Sequence, residues 1–160
     1  MDRPYPEVSA RIAALVEGED DPVALMATVA CELYHGLDGF DWVGFYRVVA
    51  PGLLKIGPYQ GGHGCLAIPF ERGVCGAAAR EERTQVVPDV DAFPGHIACA
   101  ASTRSEIVVP VRDAGGRLIG VLDIDSDAPA AFDAADALAL EAIVEAVFGR
   151  DDPGAAPGRG

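Results

Sequence analysis

The sequence lacks the positive charge that binding to nucleic acid requires. Twelve Lys and Arg residues stand against 25 Asp and Glu residues in 160, and the net charge is −13. Such an acidic surface repels phosphate groups, and no run rich in Lys or Arg offsets it. The composition excludes nucleic acid as a partner and disfavours an anionic membrane surface.

Long apolar runs are missing as well. No segment approaches the ~20 apolar residues that a membrane-spanning helix needs, and residues 1–7 lack the apolar core of a signal peptide. We therefore expect a cytoplasmic protein with no membrane partner. Because half of the residues are hydrophobic, the length fits one domain over residues 1–149. Residues 150–160, rich in Gly, Pro and Ala, are expected to be a disordered tail.

Short enzyme signatures are also absent. The sequence contains no CxxC pair, which removes the commonest zinc and thioredoxin-type patterns. It has no GxGxxG or P-loop cofactor motif, and no motif supports Ser/His/Asp hydrolysis. We expect neither a resident metal nor a tightly bound cofactor.

Cysteine is the residue type that stands out among those present. Cys65, Cys75 and Cys99 lie near glycines in loop-like contexts, whereas Cys31 lies in a helical pattern and is expected to pack. In a reducing compartment, such cysteines favour catalysis, redox sensing or metal binding over a disulfide framework. The alternative is that each is a small buried hydrophobic residue.

The periodicity of apolar residues predicts an α+β fold with a single antiparallel sheet of about six strands flanked by helices. The second helix is expected to bury Val23, Leu25, Met26, Val29, Ala30 and Leu33. Helices are predicted at 8–18, 22–34 and 73–80 and after Asp133; strands are predicted at 42–49, 53–60, 65–69, 85–88, 107–111 and 118–125.

Three acids lie in predicted strands. Asp123 and Asp125 are two residues apart and so project from the same face, and Glu106 begins another strand. They either mark exposed strand ends or form a site for a small cation, such as an ammonium group or a metal ion. An acid kept protonated by a neighbouring carboxylate could also donate a proton. His63 and His96 could join a metal site, but the spacing matches no standard zinc pattern.

Two further features concern the surroundings of such a site. Alternation places Trp42, Gly44 and Tyr46 on one strand face, where Gly44 either leaves a gap between two rings or admits a neighbour's bulk. Cys75 lies near the start of the predicted helix 73–80, where the helix dipole can lower the pKa of a thiol.

An ordered set of motifs resembles the free methionine-R-sulfoxide reductases, which are small single-domain enzymes with a GAF fold. The resemblance covers roughly residues 8–148. Any one motif is weak, but the set with all three cysteines is specific. The motifs are DWVGFY at 41–46, GPYQG at 57–61, RGVCG at 72–76, PGHIAC at 94–99, SEIVVP at 105–110 and GVLDIDS at 120–126.

The resemblance implies thiol-dependent reduction of free L-methionine (R)-S-oxide to methionine. By its pattern Cys99 is the nucleophile, Cys65 resolves it by forming a disulfide, and Cys75 is a third cysteine of less settled role. A dithiol carrier such as thioredoxin would supply the reducing equivalents. Ala100 departs from the pattern, which has an acid there, and the hairpin at Gly115-Gly116 is about one residue longer than in some relatives.

The same resemblance assigns the substrate contacts. Trp42 and Tyr46 match aromatics near the substrate methyl group, while Glu106, Asp123 and Asp125 match acids that line the pocket. Cys75 is expected among the substrate-binding residues as well. Glu106 would protonate the departing oxygen, and the two Asp residues would hold the ammonium.

Two other functions are compatible with parts of the sequence. One is a GAF sensor that binds a small molecule without chemistry, although it leaves three site cysteines unexplained. The other is a thiol-based metal or redox-sensing protein. Whether the chain forms a homodimer is left open by the sequence.

Overall fold

The computed structural model describes residues 2–150 and contains the predicted α+β architecture. The helices are α1 (Tyr5–Leu15), α2 (Pro22–Gly36), α3 (Gly73–Glu81) and α4 (Ala134–Phe148), with a 3-10 turn at Val90–Ala92. The strands are β1 (Trp42–Ala50), β2 (Leu53–Gln60), β3 (Ala67–Pro69), β4 (Gln85–Val87), β5 (Ser105–Arg112) and β6 (Leu118–Ser126).

All six strands form one antiparallel sheet in the order β3-β2-β1-β6-β5-β4, which confirms the predicted sheet. Alternation along each strand sends residues to opposite faces. One face packs on α1, α2 and α4 through a large apolar core that includes Val43, Phe45, Leu122 and Ile124. The other face packs on α3 through a smaller cluster that includes Trp42, Tyr46 and Cys75. The candidate site lies in this second layer.

Several predicted boundaries were wrong for identifiable reasons. Helix α1 begins at Tyr5 because Pro6 is tolerated in a first helical turn, and it ends at Leu15. Strand β3 begins at Ala67, because Cys65 is bonded to Cys99 and ladder pairing starts only at Ala67. Val23 was expected in the core but is exposed, since it lies in the first turn of α2.

The C-terminal end of the described chain is anchored at Arg150. Its guanidinium donates hydrogen bonds to the carbonyl oxygens of Val147, Val16 and Glu19. The rest of the tail expected to be disordered, residues 151–160, lies outside the described residues. None of the helices within residues 2–150 combines the length and apolar character needed to cross a bilayer.

Candidate active site

A cavity of about 40 Å³ lies between the sheet, the N-terminal part of α3 and two loops, residues 61–66 and 93–104. Of the catalytic and substrate-binding residues assigned from the sequence, all line this cavity except Cys65, which is bonded to the lining residue Cys99. The lining residues that carry chemistry are Trp42, Tyr46, His63, Cys75, His96, Cys99, Glu106, Asp123 and Asp125.

Strand register explains why the three acids meet. Asp125 on β6 pairs with Trp42 on β1 and with Glu106 on β5, so these three residues form one row across the sheet. Asp123 lies in the next row of the same face, opposite Gly44. The acids are therefore inside the site, and the alternative of exposed strand ends is wrong: Glu106 is 6% exposed and Asp123 is 4% exposed.

Burial and mutual repulsion make these carboxyl groups hard to ionise. Burial, followed by the charge of Asp123, raises the pKa of Glu106 well above its usual range. Burial, followed by the charge of Asp125, raises the pKa of Asp123 well above its usual range. Burial, followed by the charge of Glu106, does the same to the pKa of Asp125. Oδ1 of each Asp is buried without a hydrogen-bond partner. The cluster therefore retains protons near neutral pH and has unused acceptor atoms.

An aromatic wall faces the acids. The Trp42 ring stacks between Tyr59 and Tyr46, with centroid distances of 5.4 and 6.0 Å, and its indole N–H donates to the Gly62 carbonyl oxygen at 2.7 Å. Gly44 does not leave an open gap, because a Cβ there would meet the Trp42 ring and lie 2.6 Å from Tyr59 Cβ. Gly44 lets the Trp42 ring lie flat against the sheet.

The two outer loops are joined by a disulfide between Cys65 and Cys99, whose Cα atoms are 5.3 Å apart. This separation confirms the expectation that the two cysteines lie within bridging distance. Cys65 precedes β3, and Cys99 lies in the long connection between β4 and β5. Cys99 lines the cavity, and both cysteines are only partly buried. The site can therefore store two oxidising equivalents where a reductant can reach them.

Known proteins are similar to this chain in sequence and fold. The model of the GAF domain family matches residues 21–147. A curated relative, the free methionine-R-sulfoxide reductase of Escherichia coli, is 39% identical over 140 residues, which cover 88% of this chain and 84% of the relative. The chain belongs to the GAF-domain family of free methionine-R-sulfoxide reductases.

Solved structures agree with this assignment. The free methionine-R-sulfoxide reductase of Neisseria meningitidis, in complex with its substrate, is 47% identical with a TM-score of 0.84, covering 89% of this chain and 85% of that one. The reduced form of the Staphylococcus aureus fRMsr is 43% identical with a TM-score of 0.87, covering 92% of this chain and 94% of that one.

Within this reductase fold, Cys75 lies where the sequence predicted, near the N-terminus of α3. The expectation of a lowered thiol pKa was wrong. Burial, followed by the charge of Asp123, raises the pKa of Cys75 well above its ordinary value, because the thiol is fully enclosed beside the acids. Cys75 is therefore a poor nucleophile in this state. Cys31 lies outside the cavity, on α2.

The sequence analysis gave no role in the site to several residues that line the reductase cavity. Among them, Ile97 and Thr103 line it from the long connection before β5, and Ile68 lines it from β3. The only available signal was Ile97, a large apolar residue next to His96 in an irregular segment.

Proposed function

We propose that this chain reduces free L-methionine (R)-S-oxide to L-methionine through a sulfenic acid on Cys99 and a disulfide with Cys65. The observation that carries the proposal is the Cys65–Cys99 disulfide, whose Cys99 lines a cavity that also contains carboxyl groups and aromatic side chains. The match to proteins named as free methionine-R-sulfoxide reductases supports the same activity.

The first step uses the thiolate of Cys99, which attacks the sulfoxide sulfur. The sulfoxide oxygen takes a proton and passes to Cys99, which becomes a sulfenic acid while methionine forms. The thiol of Cys65 then attacks the Cys99 sulfur, forms the disulfide and releases the oxygen as water. Their Cα separation of 5.3 Å allows this condensation.

Glu106 is the proton donor in this proposal, and Asp123 and Asp125 hold the substrate ammonium. Glu106 is enclosed beside a second carboxyl group, which keeps a proton on the pair. The unpartnered Oδ1 atoms of the two Asp residues are the acceptors that an ammonium group needs. An N-acylated methionine sulfoxide has no ammonium, so this arrangement selects the free amino acid.

Trp42 and Tyr46 form the wall for the S-methyl group. Both are almost fully buried, and they stack on one another at the cavity side of β1. Aromatic faces offer a large apolar area at a small entropic cost. They hold the sulfoxide so that its sulfur faces Cys99 and its oxygen faces Glu106.

The cycle closes when an external dithiol reduces the Cys65–Cys99 bond. The partly exposed sulfurs suit exchange with a small dithiol protein of the thioredoxin type. Since the bond must be reduced after each turnover, we infer that the protein acts in a reducing compartment, the cytoplasm.

The decisive experiment is turnover of free methionine (R)-S-oxide with dithiothreitol or with thioredoxin, monitored as methionine release. A sensor domain without chemistry would bind the sulfoxide and release no methionine. A protein that only senses oxidants would form the disulfide with peroxide and leave the sulfoxide unchanged.

A further inference from the structure

A mixed set of metal-binding atoms lies at the base of the cavity. The Cys75 sulfur and one carboxylate oxygen each of Glu106 and Asp123 all lie within 4.8 Å of one another, and the three residues are buried. They come from α3, β5 and β6, so the fold brings them together from distant parts of the sequence. The reduction chemistry proposed above gives the Cys75 sulfur no task.

A second observation points to a cation at this place. Asp123 is 4% exposed and lines the cavity, and its Oδ1 is buried without a hydrogen-bond partner, as is Oδ1 of Asp125. The cavity lining contains neither Lys nor Arg. A buried carboxylate oxygen without a partner is costly, and a bound cation relieves that cost.

The donor chemistry selects among cations. Calcium and magnesium prefer oxygen ligands alone, whereas a thiolate with carboxylates suits zinc and similar divalent ions. Bond lengths of about 2.0–2.3 Å place the donors of a tetrahedral zinc site roughly 3.3–3.8 Å apart. The three atoms would have to close by up to roughly 1 Å to reach these separations.

We propose that Cys75, Glu106 and Asp123 form a binding site for a zinc-class divalent cation that inhibits the enzyme. The ion and the substrate ammonium both require Asp123, so they exclude one another. The inhibition rests on the function proposed above, whereas the binding of the ion does not. Ligand spacing in the sequence gave no sign of this site, because its residues are 31 and 17 positions apart.

Cobalt(II) tests the site without any assay of activity. The full chain is stripped with EDTA and kept with the Cys65–Cys99 disulfide intact, so that Cys75 is the cavity's remaining thiol. Added cobalt chloride is expected to give a near-ultraviolet sulfur-to-cobalt band that zinc chloride abolishes. The Cys31→Ser variant should keep the band, and the Cys75→Ser and Cys75→Ala variants should lose it.

Asp123→Asn gives an independent check on the carboxylate side, because it leaves the thiol in place. Loss of a direct ligand is expected to weaken cobalt binding at least about tenfold. Absence of the band from the parent protein, its persistence in both folded Cys75 variants, or unchanged affinity in Asp123→Asn would each overturn the site.

The inhibition is tested in single turnovers of enzyme that has been reduced and then freed of reductant. Zinc chloride is expected to slow methionine release, and a higher methionine sulfoxide concentration should restore the rate. Zinc should inhibit Cys75→Ala less than the parent, each compared with its own zinc-free rate. Equal inhibition of both would overturn the proposal.

The two proposals fail separately. A protein that releases methionine but shows no cobalt band refutes the metal site alone. A protein that shows the band but releases no methionine supports the metal site and refutes the reductase.

Discussion

At the scale of single residues, the proposed mechanism gives the two bridged cysteines different roles. Cys99→Ser is expected to abolish methionine release even with excess dithiothreitol, because the other thiol that lines the cavity, Cys75, is buried and a poor nucleophile. Cys65→Ser should keep one stoichiometric round of reduction and lose cycling with thioredoxin, since the sulfenic acid then has no partner. Methionine release in single turnover and under cycling conditions checks both.

Cys31→Ser is the control for these two cysteine variants. Cys31 lies on α2, away from the cavity, so Cys31→Ser should behave as the parent does. Stoichiometric methionine from Cys99→Ser would remove the nucleophile role from Cys99.

The proposed mechanism assigns substrate binding to Asp123 and Asp125 and proton transfer to Glu106. Removing one partner of a buried charged contact costs about 2–5 kcal/mol, or roughly 30-fold or more in the binding constant. Asp125→Asn should therefore raise KM for free methionine sulfoxide, while Glu106→Gln should mainly lower kcat. Steady-state kinetics separate the two effects.

N-acetylmethionine sulfoxide is the matched substrate control for this division. It lacks the ammonium, so the parent enzyme should turn it over poorly and Asp125→Asn should narrow the difference from the free amino acid. Equal turnover of the two sulfoxides by the parent would mean that the carboxylates do not recognise the amino group of the substrate.

At the scale of elements, strand β1 depends on one glycine for its flat aromatic surface. A Cβ at Gly44 would lie 2.6 Å from Tyr59 Cβ and meet the Trp42 ring. Such overpacking typically costs about 1–3 kcal/mol, so Gly44→Ala should lower the free energy of unfolding by that amount and displace the ring. Urea unfolding measures the loss.

Gly62→Ala is the comparison for that variant. A Cβ at Gly62 meets nothing within 4 Å, and its backbone needs no left-handed conformation. Its stability should stay within about 0.5 kcal/mol of the parent. If Gly44→Ala proves as stable as Gly62→Ala, the close packing of the Trp42 ring does not constrain the strand.

The sequence predicted the helices and strands better than it predicted the contacts between them. Alternation correctly separated Trp42 and Tyr46 from Val43 and Phe45, because a strand's side-chain period is two. The pairing of β1 with β2 follows from the short turn at Pro51-Gly52, whereas the pairing of β1 with β6 could not be derived in this way, since it depends on tertiary structure. The environment of Cys75 was missed for the same reason: its acids come from β5 and β6.

In the candidate site, too, local spacing predicts some of the arrangement and tertiary strand pairing decides the rest. That Asp123 and Asp125 share a face follows from their spacing alone, whereas the placement of Glu106 beside Asp125 follows from the register between β5 and β6. The Cys65–Cys99 pairing came from resemblance to a family, because nothing in the residues excludes other pairings.

At the scale of the whole molecule, the buried acids link stability to pH. Their folded-state pKa values are raised above those of the unfolded chain, so the folded state holds protons more tightly. The stability that this proton binding contributes is fully present at pH values below the pKa of the acids in the unfolded chain, near 4. It is lost as the pH rises through their pKa values in the folded protein. The metal-free protein should therefore lose stability towards alkaline pH.

Asp123→Asn tests this linkage. It removes one acid from the cluster, so it should raise the free energy of unfolding by about 1 kcal/mol or more at about pH 8, with a smaller gain at about pH 5. Urea unfolding in EDTA at both pH values measures the difference. Asp20→Asn, at an exposed position between α1 and α2, should show no such dependence. A gain in Asp123→Asn that is equal at both pH values would contradict the linkage.

The placement of Trp42 has an optical consequence. It is the sole tryptophan of the chain, and it lies in the cavity beside the acids and the Cys99 loop. Indole emission is sensitive to nearby charge and is quenched by disulfides through electron transfer. The protein thus carries an intrinsic fluorophore at its own reaction centre, and its emission intensity can follow both occupancy and redox state without a label.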